Sequence, residues 1–225
     1  MPSSWSYSSL SLFKQCPRKY HRLRVVRDIV EPESEAMLYG SELHKAAEEY
    51  GRDGKPIPPK FAYVKKYIDI LLDIPGNHLF EHEMALDENR QPCAFRDPMY
   101  WWRGIADFMV VPEEGAGDEA VIIDYKTGKS ARYADTGQLE ILSLATFVHF
   151  PHVKKIRAGL LFVVSEEFVE FHIARKDAEE VWKTRWLPTT KRLDVAYTMD
   201  LWNPSPNFTC RKFCPVEDCE HNGRY

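Results

Sequence analysis

Val121-Ile122-Ile123-Asp124-Tyr125-Lys126-Thr127-Gly128 runs three aliphatic residues into Asp-Tyr-Lys and breaks at a glycine, the pattern of a buried strand that stops at a turn. Strand side chains alternate between faces, so Asp124 and Lys126 share one face and Tyr125 takes the other. A carboxylate and an ammonium on the tip of an apolar strand form either a structural ion pair or a functional one. The desolvation that hydrophobic residues would avoid favours the second. The following Gly128-Lys129-Ser130 has the look of a phosphate-binding P-loop, but that motif needs a glycine at position 123, where Ile123 stands. Nucleotide hydrolysis is therefore not expected.

Outward from this strand the pattern continues. Residues 79–86, 100–111 and 120–125 are alternating or continuous apolar runs, separated by Asp87-Glu88-Asn89 and by Pro112 to Gly117, and they predict successive strands of an antiparallel meander. Residues 136–150 predict a helix, and 156–165 and 168–174 two more strands. On the amino side, helices are predicted over 8–24, with Ser6 or Ser8 as cap and Pro17 bending or restarting it, over 34–52, with His44 one turn from Gly40, and over 60–72, stopped by Pro75-Gly76. A long helix over 176–199, broken near Pro188, completes the series. The expected class is α/β (α+β), a mixed sheet with helices packed on it.

The chain has 225 residues, 44% of them hydrophobic and 13% aromatic, enough for one large domain or one domain with an appendage. No internal repeat or clean linker is visible, and one domain over 1–225 is expected. The best apolar stretch, residues 158–164, falls far short of the ~18 to 20 residues of a membrane span. Met1 to Tyr7 lacks the basic leader and apolar core of a secretory signal, so the cytoplasm is expected. Thirty basic against thirty-four acidic residues give −4, which argues against coating nucleic acid through net charge. Within that average Lys14, Arg18, Lys19, Arg22, Arg24 and Arg27 precede any acid until Asp28. They form either a solvated helix face or a phosphate-contacting strip.

Arg103-Gly104-Ile105-Ala106-Asp107 places a second carboxylate inside an apolar strand, where a buried acid needs a partner or a metal. With Asp124 and Lys126 it makes a set suited to a Mg²⁺-dependent phosphodiesterase: oxygen ligands for a hard cation and a cation to orient water. His44 adds a nitrogen ligand or is an ordinary helix histidine. Of five cysteines, Cys210, Cys214 and Cys219 crowd one tail segment and are expected to bind a metal. Their fourth ligand is either Cys16 or His221, the latter better suited to zinc. Cys93 stands alone.

The ordered set Gly40-x-x-x-His44, Glu81, Gly104-x-x-Asp107, Asp124-Tyr125-Lys126-Thr127 and Gln138 resembles the PD-(D/E)XK nuclease superfamily, in its RecB-like exonuclease branch. Ser8-x-Leu10-x-x-Phe13-x-x-Cys16-Pro17-x-x-Tyr20 and Cys210-Arg211-Lys212-Phe213-Cys214-Pro215-Val216-Glu217-Asp218-Cys219 are similar to the opening and closing segments of its iron–sulfur members, such as AddB, CRISPR-associated RecB-like nucleases and short bacteriophage exonucleases. The resemblance covers about residues 6–223. It departs at Leu142, where the branch has a tyrosine four residues after its glutamine, and in the spacing of the tail cysteines.

The resemblance implies a restriction-endonuclease-like mixed central sheet flanked by helices. Residues 34–200 would be the nuclease core, and the helical segment 1–33 and the cysteine segment 201–225 would be joined by a metal cluster. It implies Mg²⁺ or Mn²⁺ held by His44, Asp107, Asp124 and the carbonyl of Tyr125, with Glu81 as a further ligand before Glu83. Lys126 would activate or orient water and Gln138 would position strand or water. Cys16, Cys210, Cys214 and Cys219 would hold a 4Fe-4S cluster, with structural Zn²⁺ as the alternative and Cys93 outside. The implied substrate is DNA, single-stranded or at duplex ends, in recombination, repair or phage DNA processing in a bacterial or phage-infected cytoplasm. A separate helicase or recombination protein would be the partner. Arg18, Tyr20, Arg22 and Arg103 are the expected DNA contacts, and Trp101 and Trp102 further stacking candidates. The competing readings are a metal-stapled DNA-binding protein on an inactive nuclease scaffold and a structure-specific endonuclease.

Overall fold

The apolar runs form one six-stranded sheet. β1 (Asn77–Leu86), β2 (Pro92–Cys93), β3 (Trp102–Val111), β4 (Glu119–Lys126), β5 (Lys155–Phe162) and β6 (Glu167–Ala174) lie in the order β2-β1-β3-β4-β5-β6. Neighbours pair antiparallel except β4 and β5. That parallel pair needs a crossover, and α5 (Gly137–His149) supplies it. The computed structural model describes residues 3–224, and the chain divides into two compact units, Glu33–Ala178 and the chain on either side of it.

In the sheet unit, Ser34 caps α3 (Glu35–Asp53), its hydroxyl accepting from Met37 N at 3.2 Å, and Gly54 ends it with φ 67. This is the side-chain start and left-handed stop that a helix of this length uses. The segment expected as one helix over 60–72 divides in two: Pro59 opens a 3₁₀ turn, Pro59–Val64, and only α4 (Lys65–Leu72) is α-helical. Leu43, Ala46 and Ala47 of α3 and Ile68 of α4 pack with Phe108, Val110, Val121, Ile123 and Tyr125. α5 packs on β1, β3, β4, β5 and β6. It meets the other set of alternating side chains, with Lys126 reaching Gln138 and Leu142 lying against Gly104. Both faces of the sheet are thus covered. The hydroxyls of Ser143 and Thr146 are buried within α5, and each donates to the carbonyl four residues back, Leu139 and Leu142.

Gly104 has a packing reason. The Trp102 ring, wholly buried, folds over it, and a Cβ at 104 would lie 2.7 Å from the indole. Gly104→Ala is expected to cost about 1–3 kcal/mol by overpacking, read as a lower urea midpoint with an unchanged m value.

In the other unit, a Ser6/Ser9 capping box starts α1 (Tyr7–Gln15). Pro17 restarts the helix as α2 (Pro17–Tyr20), with the Cys16 sulfur accepting from Lys19 N at 3.5 Å, and a π-helical turn, His21–Val26, follows. The long final helix is three pieces: α6 (Ala178–Val181), a π-helical turn (Trp182–Trp186) and α7 (Leu187–Met199), which has Pro188 in its first turn. Aromatic rings fill this unit: Trp5 stacks on Trp186, and Phe13, Tyr20 and Trp202 meet one another. Among the described residues no helix is long and apolar enough to cross a membrane.

Candidate active site

β3 and β4 pair from Val110↔Val121 to Phe108↔Ile123 and go no further. Asp107, the next residue on β3, is buried at the mouth of this fork, and its Oδ2 accepts from Tyr125 N at 2.8 Å. The carboxylate thus takes the place of a ladder bond and turns its remaining lone pairs outward. From α3, the Nε2–H of His44 donates to the Tyr125 carbonyl at 3.0 Å, while Nδ1 faces Asp107 Oδ2 at 3.4 Å. Burial opposes a charged imidazole here. The hydrogen bond to Asp107 and the charges of Asp107, Asp124 and Glu81 outweigh it and raise His44 to about 9.

Glu81 stands across from Asp107 and carries the strain. Its φ is 45°, in the interior of β1. Pairing resumes without slippage on either side, Phe80↔Phe108 and His82↔Ala106, so no residue is inserted and the Glu81/Asp107 rung alone is left out. The kink exchanges the faces of the strand. Phe80 packs on Gly51 of α3, whereas the His82 ring meets Phe150 and Met84 Sδ accepts from Thr146 Oγ1 of α5. Strict alternation would have put residues 80, 82 and 84 on one face. A left-handed non-glycine residue costs about 1–3 kcal/mol, and the result is that ligand atoms of His44, Glu81 and Asp107 all come within 4.8 Å of one another. Burial, reinforced by Asp107, raises Glu81 to about 7. Glu83 is exposed. Glu81→Gly is expected to be more stable than Glu81→Ala by about 1 kcal/mol, because only glycine adopts this φ freely; urea unfolding of the two variants measures the difference.

At the strand tip Asp124, 1% exposed, meets Lys126 Nζ through Oδ2 at 2.6 Å. That oxygen has no well-aligned hydrogen bond among the described residues, which leaves it capacity for another cation. Burial, then the charge of Asp107, raises the Asp124 carboxyl above the usual range against the pull of Lys126 and His44. Lys126 Nζ also donates to Gln138 Oε1 at 3.2 Å, from the first turn of α5. A cavity of about 640 Å³ opens over His44 and Glu81, with Ser41, Lys45 and Glu48 of α3 on its wall. Sequence reading had not singled out those three. The spacing of Ser41 and Glu48, three and four from His44, was the available signal for those two; Lys45, next to His44, carried none.

An imidazole nitrogen, three carboxylates and a peptide carbonyl on converging elements suit a hard divalent cation such as Mg²⁺ or Mn²⁺, and the underused Asp124 oxygen fits the same group. Asp107, Asp124, Lys126, Gln138, His44, Tyr125 and Glu81 are all brought together.

The expected DNA contacts are placed differently. Tyr20 is buried, its hydroxyl bonded to that of Tyr197, and Trp101 and Trp102 are also buried. Arg18 pairs with Glu220 at 3.0 Å, Lys19 with Glu31 at 3.0 Å, and Arg22 with Asp28 and Asp218 at 2.8 and 2.7 Å. Arg103 lies over the rings of Phe95 and Tyr100. Cys16, Cys210, Cys214 and Cys219 line one small cavity together with His221, all four as free thiols. Among the described residues no three of their sulfurs lie within 4.8 Å of one another, a looser set than the tetrahedron around one zinc ion. Cys93 is in β2 of the sheet unit.

Carboxylates and a lysine on splayed strands of a mixed sheet, with an imidazole brought by α3, are a set that suits metal-assisted phosphodiester hydrolysis. The chain belongs to the PD-(D/E)XK nuclease superfamily, whose family model matches residues 4–219. Among solved structures it is similar to SSO0001, with 14% identity over 99% of this chain and 88% of that one and a TM-score of 0.45. It is also similar to a protein from Eubacterium rectale described as "Putative exonuclease", with 12% identity over 97% and 86% and a TM-score of 0.48. Comparison with curated proteins finds no match.

Proposed function

We propose that this nuclease is a Mg²⁺- or Mn²⁺-dependent DNA exonuclease of the RecB-like branch, acting on single strands or DNA ends. The observation that carries the reading is Lys126 Nζ held 2.6 Å from Asp124 and 3.2 Å from Gln138, beside the His44–Glu81–Asp107 group. His44, Asp107, Asp124 and the Tyr125 carbonyl, with Glu81, would hold the cation. When bound, it supplies a Lewis acid for the phosphoryl oxygens. An ammonium has three hydrogens; Lys126 gives one to Gln138 while its charge is held beside the Asp124 carboxylate, and the remaining hydrogens are left to orient the attacking water or contact a phosphate oxygen. Gln138 fixes that direction. The Asp107–Tyr125 bond sets the width of the fork on which all these groups depend.

Single-stranded substrate is supported by Phe208 and Phe213, 81% and 69% exposed, which flank Arg211 and Lys212. Interleaved rings and cations stack bases and track a backbone without reading sequence. The four cysteines, which line one cavity, would hold a 4Fe-4S cluster, with structural Zn²⁺ as the alternative. Any unwinding would fall to a separate helicase. End-labelled single- and double-stranded DNA and circular DNA, each with Mg²⁺, Mn²⁺ or EDTA, test the reading. Short products released from an end, dependent on metal, support it; cutting of circles indicates an endonuclease, and binding without cutting an inactive scaffold.

A further inference from the structure

In the unit outside the sheet, α1, α7 and the segment after α7 enclose an open cavity of about 490 Å³. Eleven residues line it and none is acidic. Lys14, Lys191 and Arg192 stand on its wall, and among the described residues none of the three has a carboxylate partner. This contrasts with the same unit's Arg18, Lys19 and Arg22, whose charges are met by Glu220, Glu31, Asp28 and Asp218. Three cations without an acid partner thus share one cavity, on a protein whose net charge is −4. Long-range attraction of a polyanion to the whole molecule is weak, and a local cluster has to provide it. Phe13, Val195 and Leu201 make the other part of the wall apolar.

A wall that is half apolar and half cationic suits a ligand with a ring and a phosphate. The volume lies in the range of about 300–1,000 Å³ typical of small-ligand sites, which is room for a nucleotide unit. We propose that this cavity is a second nucleic-acid site, binding single-stranded DNA with phosphates on Lys14, Lys191 and Arg192 and a base against the exposed Val195 and Leu201. It is distinct from the residues proposed to hold the reacting phosphate. Choosing a DNA strand over a free nucleotide rests on the nuclease reading above; the cationic cavity itself does not.

The test is fluorescence anisotropy of labelled oligo(dT) with the full chain in EDTA, where no cutting occurs, across a salt series. Lys14→Gln/Lys191→Gln/Arg192→Gln is compared with the parent and with Lys154→Gln/Lys155→Gln/Lys176→Gln, which removes the same charge from exposed positions elsewhere. The cavity variant is expected to bind at least about tenfold more weakly at low salt, with a log K against log salt slope shallower by about 2, from three contacts at about 0.7 each. The control is expected to stay within about twofold. Equal weakening of both variants, or an unchanged slope in the cavity variant, overturns the proposal. If thymidine monophosphate or inorganic phosphate binds the cavity as tightly as the oligonucleotide does, the site is one for a free nucleotide or phosphate, and the strand-binding proposal fails. Binding that depends on the three cations in a protein that never cuts DNA would sink the nuclease reading and keep this one. Normal cutting with cation-independent binding would do the reverse.

Discussion

Lys126→Ala, purified with native folding, is expected to lose metal-dependent DNA cleavage by about 10²–10³-fold or more, the scale on which removing one preorganised charge-stabilising donor acts, and Asp124→Ala to lose it as completely. The two side chains form one device: the ammonium lies 2.6 Å from Asp124 Oδ2 and is braced by Gln138. Asp124 without Lys126 keeps an oxygen for a cation but loses the group that aims the water. Lys126 without Asp124 loses its anchor. The fold should survive, because Lys126 is the last residue of β4 and partly solvent-facing. Its loss leaves the Asp124 carboxylate buried, and a raised carboxyl can relieve that by taking a proton. A carboxyl whose folded value lies above its unfolded one is penalised as pH rises through the folded value. In metal-free buffer, the stability deficit of Lys126→Ala should therefore be largest above neutrality and shrink as pH falls. Single-turnover cleavage alongside chemical denaturation checks both halves, and cleavage at the parent rate by folded Lys126→Ala would falsify this catalytic centre.

Much of this device was legible because it obeys a local period. Asp124 and Lys126 are two apart on a strand, and Gly40 and His44 are four apart on a helix. Gln138 follows at the start of the next predicted helix. What escaped reading is non-local. The face exchange at Glu81 comes from one backbone angle in a stretch whose composition looks like ordinary strand. The fork between β3 and β4 is a pairing that stops, and no residue type announces it. β2 has two residues, too few to show a period. The basic run from Lys14 to Arg27 looked like one strip, but Arg18 and Arg22 find Glu220 and Asp218 some two hundred positions away. Among the described residues Lys14 finds no acid and instead shares a cavity with Lys191 and Arg192 of α7. Charge in sequence is a sum over neighbours in the chain, whereas charge at a surface is what remains after distant partners are counted.

The tail gives the largest expected effect on stability. Within residues 203–224 only Cys210 and Val216 are buried, and the only regular element is the 3₁₀ turn Phe208–Arg211. Two small side chains cannot offset the backbone entropy of ordering about twenty residues, at about 1–2 kcal/mol each. The segment's few internal bonds, such as Gly223 N to Cys210 O and Asn222 Nδ2 to the carbonyls of Cys214 and Val216, need something to hold them in place. The sulfurs are the candidates: Cys16 Sγ accepts from Lys19 N and Ser205 N, and Cys210 Sγ from Asn207 N. Burial pushes the Cys214 thiol up, and nearby Cys210 and Cys16 add to it, so deprotonating the four sulfurs around this cavity would need a compensating positive charge such as a bound metal would bring. If the proposed centre forms there, its binding is folding free energy, on the scale of about 10–16 kcal/mol for a structural thiolate site against about 5–15 for a whole domain, and Cys210→Ser or Cys214→Ser is expected to leave the protein largely insoluble. Cys93→Ser is expected to change little. Elemental analysis of anaerobically purified protein should find iron, with broad absorption near ~400 nm. One stoichiometric zinc in colourless protein would keep the staple and change the metal, and neither metal in folded, active protein would remove the staple. Metal lost from Cys93→Ser but kept by Cys16→Ser would show the fourth ligand to be misassigned, since Cys16 and the three tail cysteines face one cavity whereas Cys93 belongs to the edge of the sheet.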